Sequence, residues 1–217
     1  MKLSDLIPST QEIQREHFDR STVNVEAVTR AMLTAYREIV ASGPSSSIDF
    51  DAVRPLLETL IQYVTGDPAF CDSPLVSNRA DLRKGIWLKG DYGTGKTTAF
   101  NVFRRMNCLV HLPNPIKGRT VSCHQIHELA RAGDGFMHVL EGASHIIIDD
   151  LGREQPVYGQ YQAKALIETA YLRRIRLHAS TNYTREQLSE KYGHGVGDRI
   201  AEMCNLIQMP NAQTFRK

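Results

Sequence analysis

The sequence predicts an α/β fold in which a parallel sheet lies between layers of helices. Short apolar runs with the composition of buried strands occur at GIWLKG (85–90), RTVSCHQI (119–126), SHIIIDD (144–150), RLHASTN (176–182) and NLIQMP (205–210). Helix-like stretches fill the gaps, at residues 95–107, 126–132, 160–174, 184–191 and 196–203. Strands that alternate with helices favour a parallel sheet covered on both faces.

Length and composition indicate one principal soluble domain. The chain has 217 residues, of which 41% are apolar and 23% charged, and its net charge is +2. No apolar run approaches the roughly 20 residues of a membrane-spanning helix, and the N-terminus lacks the apolar core of a signal peptide. We therefore expect a cytoplasmic protein. The scattered cysteines, Cys71, Cys108, Cys123 and Cys204, are expected to be reduced structural thiols.

The first 47 residues are expected to form a helical extension and linker, and residues 48–217 the core domain. Apolar positions between Val25 and Ile39 recur at spacings of three and four, which predicts an amphipathic helix. SGPSSS at 42–47 resists regular structure and is the best linker candidate. The extension either docks a partner or packs on the core, and the sequence favours neither. Another helix is predicted over 49–64, where Pro55 is tolerable only near the first turn.

The stretch GDYGTGKTT, residues 90–98, predicts a loop that binds nucleotide phosphates. Gly90, Gly95, Lys96 and Thr97 match the pattern G-x-x-x-x-G-K-[ST] where a strand ends and a helix begins. Gly93 and Gly95 allow backbone N–H groups to turn toward a phosphate, and the helix N-terminus adds free donors. We expect Lys96 to bind the β- and γ-phosphates and Thr97 to bind Mg²⁺. The other loop residues expected against the nucleotide are Asp91, Tyr92, Thr94 and Thr98.

Two carboxylates and an amide follow later strands. Asp149 comes directly after the buried run Ile146 to Ile148, at the sheet edge where ligands of α/β proteins bind, and is expected to hold Mg²⁺. Asp150 is expected to point to a different side of the strand end and to polarise the attacking water, unless it caps a turn. Asn182 ends another strand, where its amide could hold that water or touch the γ-phosphate.

Two groups of arginines allow both a structural and a functional interpretation. Arg199 either forms a surface ion pair with Asp198 or Glu202, or reaches across an interface to the nucleotide of a neighbouring subunit. The cluster at Arg173, Arg174 and Arg176 lies at a helix end, where the helix dipole favours cations. A role in contacting DNA or another subunit is the alternative for this cluster.

In this order and spacing, GDYGTGKTT, HIIIDDLG, HASTN, GDRIAEMCN and TFRK resemble the AAA+ ATPases of the DnaC helicase-loader and IstB transposition-helper group. The resemblance covers about residues 50–217. It implies a P-loop NTPase fold with a five-stranded parallel sheet and no helical lid domain, ATP and Mg²⁺ as cofactors, and action as a homo-oligomer. By position it implies that Lys96 and Thr97 are the P-loop pair and that Asp149 is the Mg²⁺ carboxylate. It also implies that Asn182 is the first sensor, that Arg199 is the arginine finger acting in trans, and that Arg216 contacts the nucleotide.

The predicted function is that of an ATP-binding, slowly hydrolysing switch that acts in DNA replication as a DnaC-like helicase loader. Its expected partners are a replicative helicase, bound through the N-terminal segment, and single-stranded DNA. Hydrolysis is expected to be slow because AAA+ proteins more often carry Glu where Asp150 stands, and the shorter side chain places water less well. An IstB-like transposition helper that binds DNA is one alternative. A P-loop kinase of small molecules is another.

Overall fold

The computed structural model describes residues 23–42, 50–133 and 135–209. The strands in these ranges are β1 (Gly85–Lys89), β2 (Arg119–Ser122), β3 (His145–Leu151), β4 (Arg176–Thr181) and β5 (Cys204–Gln208). The α-helices are α1 (Val25–Ala41), α2 (Phe50–Val64), α3 (Lys96–Met106), α4 (Cys123–Arg131), α5 (Gln162–Leu172), α6 (Arg185–Tyr192) and α7 (His194–Met203). Short 3₁₀ helices span Pro68–Asp72 and Phe136–Leu140.

The strands form one five-stranded sheet in the order β2-β3-β4-β1-β5, and every neighbouring pair is parallel. The predicted fold class is therefore confirmed. Strand β4 lies between β1 and β3, so the carboxyl ends of these three strands meet at one edge of the sheet. The glycine-rich loop and Asn182 follow two of these strands, and Asp149 lies near the end of β3, so the topology brings all of them to that edge.

The predicted end of β2 and the predicted place of Pro55 in its helix were wrong. Strand β2 ends at Ser122 because the hydroxyl of Ser122 and the side chain of Gln125 form a capping box, which starts α4 at Cys123. In α2, Pro55 lies beyond the first turn. A proline there removes one backbone hydrogen bond, and the buried apolar face of α2, which includes Leu56 and Leu60, offsets that loss.

Successive residues of the buried strands point to opposite faces and build two cores. Ile86 and Leu88 of β1 pack with α1, α2 and α3 on one face of the sheet. Trp87, which lies between them, packs on the other face with α4, α5, α6 and α7. The sheet is thus covered by helices on both sides, as the near-continuous apolar strand sequences predict.

Helix α1 packs against α3 as part of the first core. Met32, Ala35 and Tyr36 of α1 are buried, and Glu38 forms an ion pair of 3.2 Å with Arg105 of α3. For this helix, the packing favours the alternative in which the extension lies on the core. Most of the predicted linker and the first 22 residues lie outside the described part of the chain, and the division at residue 47 stays a prediction.

Among the helices described, none is both long and apolar enough to cross a membrane.

Candidate nucleotide-binding site

The loop between β1 and α3 has a backbone that requires glycine at several positions. Gly93 and Gly95 have φ values of 76° and 85°, in the left-handed region that other residues rarely adopt. Gly90 is required by a close approach, since a Cβ there would lie 2.6 Å from the Cβ of Met209. The loop therefore turns tightly over the end of β1, as the phosphate-loop prediction requires.

Lys96 directs its ammonium group into this loop. The residue is 6% exposed, and Nζ donates to the carbonyl oxygens of Gly90 and Asp91, both at 2.8 Å. Burial lowers the pKa of Lys96, while the nearby carboxylates of Asp150 and Asp149 oppose that shift. Two neutral carbonyls do not neutralise the ammonium charge, so the interior of the loop fits an anion such as a phosphate.

Thr97 and Asp149 meet across the mouth of the loop. The Thr97 hydroxyl lies 2.9 Å from Oδ2 and 3.1 Å from Oδ1 of Asp149. A hydroxyl and a carboxylate supply the oxygen ligands that Mg²⁺ prefers. The structure thus brings together the two residues that the sequence predicts as Mg²⁺ ligands, and their donor set fits this ion.

A β-bulge sets the direction of the two acidic side chains at the end of β3. The pairing of β3 with β4 shifts between Ile148 and Leu151, and Asp150 has a φ of 55°. The strand therefore continues to Leu151, whereas the predicted run SHIIIDD ends at Asp150. Both carboxylates lie near Lys96, and their charges oppose the lowering of its pKa. Their side chains have different partners, since Asp149 contacts Thr97 and Asp150 pairs with Arg153. Bulges commonly redirect side chains beside active sites.

Ser180 holds the bulge in place. This fully buried β4 residue donates its hydroxyl proton to Oδ1 of Asp149 and accepts from the backbone N–H of Asp150 at 3.0 Å. Sequence reasoning did not select Ser180, although it lies in the HASTN motif. Its place beside the strand that carries the two aspartates was the signal that could have identified it, but this depends on the order of strands in the sheet.

Arg153 was also missed, and it lies at the mouth of the site. Its guanidinium forms an ion pair of 3.3 Å with Oδ2 of Asp150 and lies 5.3 Å from the ring centroid of Tyr92 in the phosphate loop. Tyr92 is 55% exposed. Asp150, the predicted water-polarising residue, is therefore paired with a cation, and a salt bridge competes with any contact that it makes to water.

Asn182 has a polar atom available for a ligand. Its Oδ1 atom is buried and has no hydrogen-bond partner within the described ranges. Because Asn182 directly follows β4, it lies at the sheet edge between the phosphate loop and Asp149. A buried amide oxygen without a partner is costly, and a water molecule bound at this edge would satisfy it.

Thr94 and Thr98 differ in what they contact. Thr94 is buried and donates its hydroxyl proton to the carbonyl of Asp91 at 2.9 Å, so it stabilises the loop from within. Thr98 is half-buried in the first turn of α3. Arg216, the predicted nucleotide contact near the end of the chain, lies outside the described residues.

Arg199 lies on α7 and contacts α5. Its Nη1 donates to Glu168 at 2.8 Å, and its guanidinium lies 5.5 Å from the ring centroid of Tyr171. The expected ion-pair partners were wrong: Asp198 pairs with Arg185, and Glu202 accepts from the Tyr171 hydroxyl at 3.0 Å. The side chain of Arg199 is 38% exposed, which leaves part of it accessible to another chain.

Comparison with solved structures identifies the fold. The crystal structure of DnaI matches with a TM-score of 0.52 and 16% sequence identity, over 83% of this chain and 93% of that one. The chain has the fold of DnaI. At such low identity the match establishes the fold alone.

Two further matches have lower scores. The DnaC helicase loader matches with a TM-score of 0.49 and 19% identity, over 72% of this chain and 88% of that one. AMPPCP-bound DnaA from Aquifex aeolicus matches with a TM-score of 0.47 and 15% identity, over 78% of this chain and 50% of that one. Scores below 0.5 support no further conclusion. No protein-family model matches the sequence, and no curated protein does.

Proposed function

We propose that this protein binds ATP with Mg²⁺ and hydrolyses it slowly, and that it acts as a switch in DNA replication in the manner of a helicase loader. The observation that carries the proposal is the contact of Thr97 with Asp149 beside the buried ammonium of Lys96. These groups combine a phosphate-binding cation with an oxygen donor set for a divalent ion.

The residues of the site divide the chemistry among them. Lys96 and the amides of the glycine-rich loop would bind the β- and γ-phosphates and stabilise charge that develops during transfer. Thr97 and Asp149 would hold Mg²⁺, which when bound neutralises phosphate charge. The Oδ1 atom of Asn182 would accept a hydrogen bond from the attacking water, and Asp150 would polarise it. The ion pair of Asp150 with Arg153 supports a slow basal rate, because the carboxylate must share its charge.

Binding of ATP and release of phosphate test this proposal directly. We expect Lys96→Ala to abolish ATP binding, and Asp149→Asn to abolish Mg²⁺-dependent hydrolysis while weak binding remains. Asp72→Asn makes the same chemical change at an exposed position outside the site and serves as the control. Hydrolysis that survives in Asp149→Asn and Lys96→Ala at the wild-type rate would refute the assignment.

Arg199 is proposed to complete the site of a neighbouring subunit. In that case it must exchange Glu168 for a phosphate, and its loss should lower the rate by about 10³-fold or more. A mixing experiment separates this role from an effect on folding. The Arg199→Ala variant keeps an intact nucleotide site, and the Asp150→Asn variant keeps Arg199. In mixed oligomers the arginine of the second variant can complete the site of the first, so activity that neither variant has alone should be recovered. No recovery at any ratio would rule out action in trans.

The helicase partner and the two alternatives require separate assays. We expect the full chain to capture a hexameric replicative helicase in a nucleotide-dependent manner, and Lys96→Ala to lose this dependence. Strong, salt-sensitive binding to duplex DNA without a helicase would instead favour a transposition helper. Phosphorylation of added nucleosides faster than phosphate release would identify a small-molecule kinase and refute the switch.

A further inference from the structure

Cations line the sheet edge opposite the nucleotide site. In a parallel sheet all strands begin at the same edge, and β2, β3 and β4 lie next to one another there. Basic residues stand at or just before the starts of β2 and β4. We call this set the basic edge: Lys117, Arg119, Arg173, Arg174 and Arg176.

The members of the basic edge are close in space as well as in topology. The backbone N–H of Arg176 donates to the carbonyl of Ser144, just before β3, at 2.9 Å. His145 begins β3, and the charges of Arg176 and Lys117 both help burial to lower its pKa to about 4. Strands are spaced about 4.8 Å apart, so β2 to β4 spans roughly 10 Å, about three nucleotides of a strand at 3.4 Å each.

Most of these charges are available to a partner. Lys117, Arg173 and Arg174 are exposed and form no ion pair in the described part of the chain. Arg119 uses one nitrogen to reach the carbonyl of His138 at 2.9 Å, and Arg176 donates to Asn114. No acidic residue lies within four positions in sequence of Lys117, Arg119, Arg173, Arg174 or Arg176. Cations therefore outnumber acids here.

Arg174 occupies a position at which the backbone disfavours arginine. The N–H of Ile175 donates to Ala170 at 2.9 Å and that of Arg174 to Tyr171 at 3.2 Å, which is the Schellman pattern that ends α5. Arg174 takes the left-handed place of this motif, with a φ of 54°. Glycine is usual there, and another residue costs about 1–2 kcal/mol. The interaction of the arginine charge with the helix dipole stabilises the helix end by about 0.3–1 kcal/mol, which is less than this cost. Helix capping alone therefore does not explain the arginine.

We propose that the basic edge binds the phosphate backbone of a nucleic acid. Guanidinium groups match phosphate oxygens in a bidentate fashion, and an unfavourable backbone conformation is often retained where a side chain has a function. The inference deepens the proposed function and rests on its role in DNA replication, for which the sequence predicts single-stranded DNA as a partner. It places that partner on the side of the sheet away from the nucleotide.

The variant Arg174→Gly tests this without loss of folding. Glycine suits the left-handed position, so the melting temperature should stay the same or rise. Binding of a labelled 20-nucleotide strand and of its duplex is measured by fluorescence anisotropy across a salt series. We expect Arg174→Gly to weaken binding about 3- to 10-fold and to reduce the slope of log K against log salt by about 0.7 to 0.9, one phosphate contact. Arg30→Gln, an exposed arginine on α1, is the matched control.

Several results would overturn the proposal. One is an unchanged affinity and salt slope in Arg174→Gly. Another is a loss of oligonucleotide affinity in Arg30→Gln equal to that in Arg174→Gly. A third is displacement of the oligonucleotide by polyglutamate as effectively as by unlabelled strand, which would indicate an acidic protein partner. ATP binding and hydrolysis are measured on the same samples. Normal hydrolysis with unaffected oligonucleotide binding in Arg174→Gly refutes the basic edge alone. If the wild-type protein does not bind ATP, while Arg174→Gly weakens oligonucleotide binding as expected, the ATP switch alone is refuted.

Discussion

Ser180→Ala should destabilise the protein well beyond an ordinary surface substitution. The change deletes a hydroxyl that donates to the carboxylate of Asp149 and accepts from the N–H of Asp150. A hydrogen bond to a charged group contributes about 1.5–3 kcal/mol, and a buried N–H left without a partner costs about 1–3 kcal/mol. Because the two terms share one atom and are not additive, we expect a loss of about 3 kcal/mol in the free energy of unfolding.

Urea denaturation measures this loss, and thermal unfolding gives an independent value. For a chain of this length, about 3 kcal/mol corresponds to a fall in melting temperature of roughly 6–12 °C. Ser77→Ala, which removes an exposed hydroxyl that makes a 3.4 Å contact with Leu206, should change stability by less than about 0.5 kcal/mol. A loss below about 1 kcal/mol in Ser180→Ala would show that Ser180 does not hold the bulge.

Three other predictions concern the loop, the acidic site and pH. Gly90→Ala should cost about 1–3 kcal/mol through its clash with Met209. Met209→Gly, which removes a buried side chain, should cost less in the Gly90→Ala background than in the wild type, as denaturation of the double variant would show. Arg153→Gln should raise basal phosphate release several-fold, because Asp150 loses its ion-pair partner. Arg131→Gln breaks an i,i+3 ion pair on α4 and should leave the rate unchanged. An unchanged or lower rate in Arg153→Gln contradicts this prediction. Burial lowers the pKa of His178 and brings that of His145 to about 4. As pH falls below about 6.5, the unfolded chain therefore binds protons before the folded chain does, and the free energy of unfolding should decline toward pH 4. The decline should be up to about 1.4 kcal/mol per pH unit for His178 and less for the half-buried His145. His145→Gln should reduce this slope, and an identical slope would refute the cause.

The sequence predicts the parts of the site that depend on local pattern. The strand-to-helix position of Lys96 and the apolar run before Asp149 are local signals, and both residues lie where they are expected. Residues that act through tertiary contacts were missed. Ser180 contacts the two aspartates because β4 lies beside β3. Arg199 binds Glu168, 31 positions away, and not the carboxylates near it in the chain. Sequence spacing does not specify which strand lies between two others, and these contacts depend on that order.

The positive-φ residues other than glycine give a structural reason to connect the two surfaces. Among the described residues these are Asp150, Tyr158 and Arg174, and each occupies a conformation that local energetics assigns to glycine or asparagine. Asp150 lies in the proposed ATP site and Arg174 on the basic edge. Tyr158 is 94% exposed at the tip of a two-residue turn closed by Val157 and Gln160. The segment from Asp150 to Arg174 runs from the end of β3 through this turn and α5 to the start of β4. This segment is the covalent connection between the proposed ATP site and the basic edge, and a residue at each of its ends is held in an unfavourable backbone conformation.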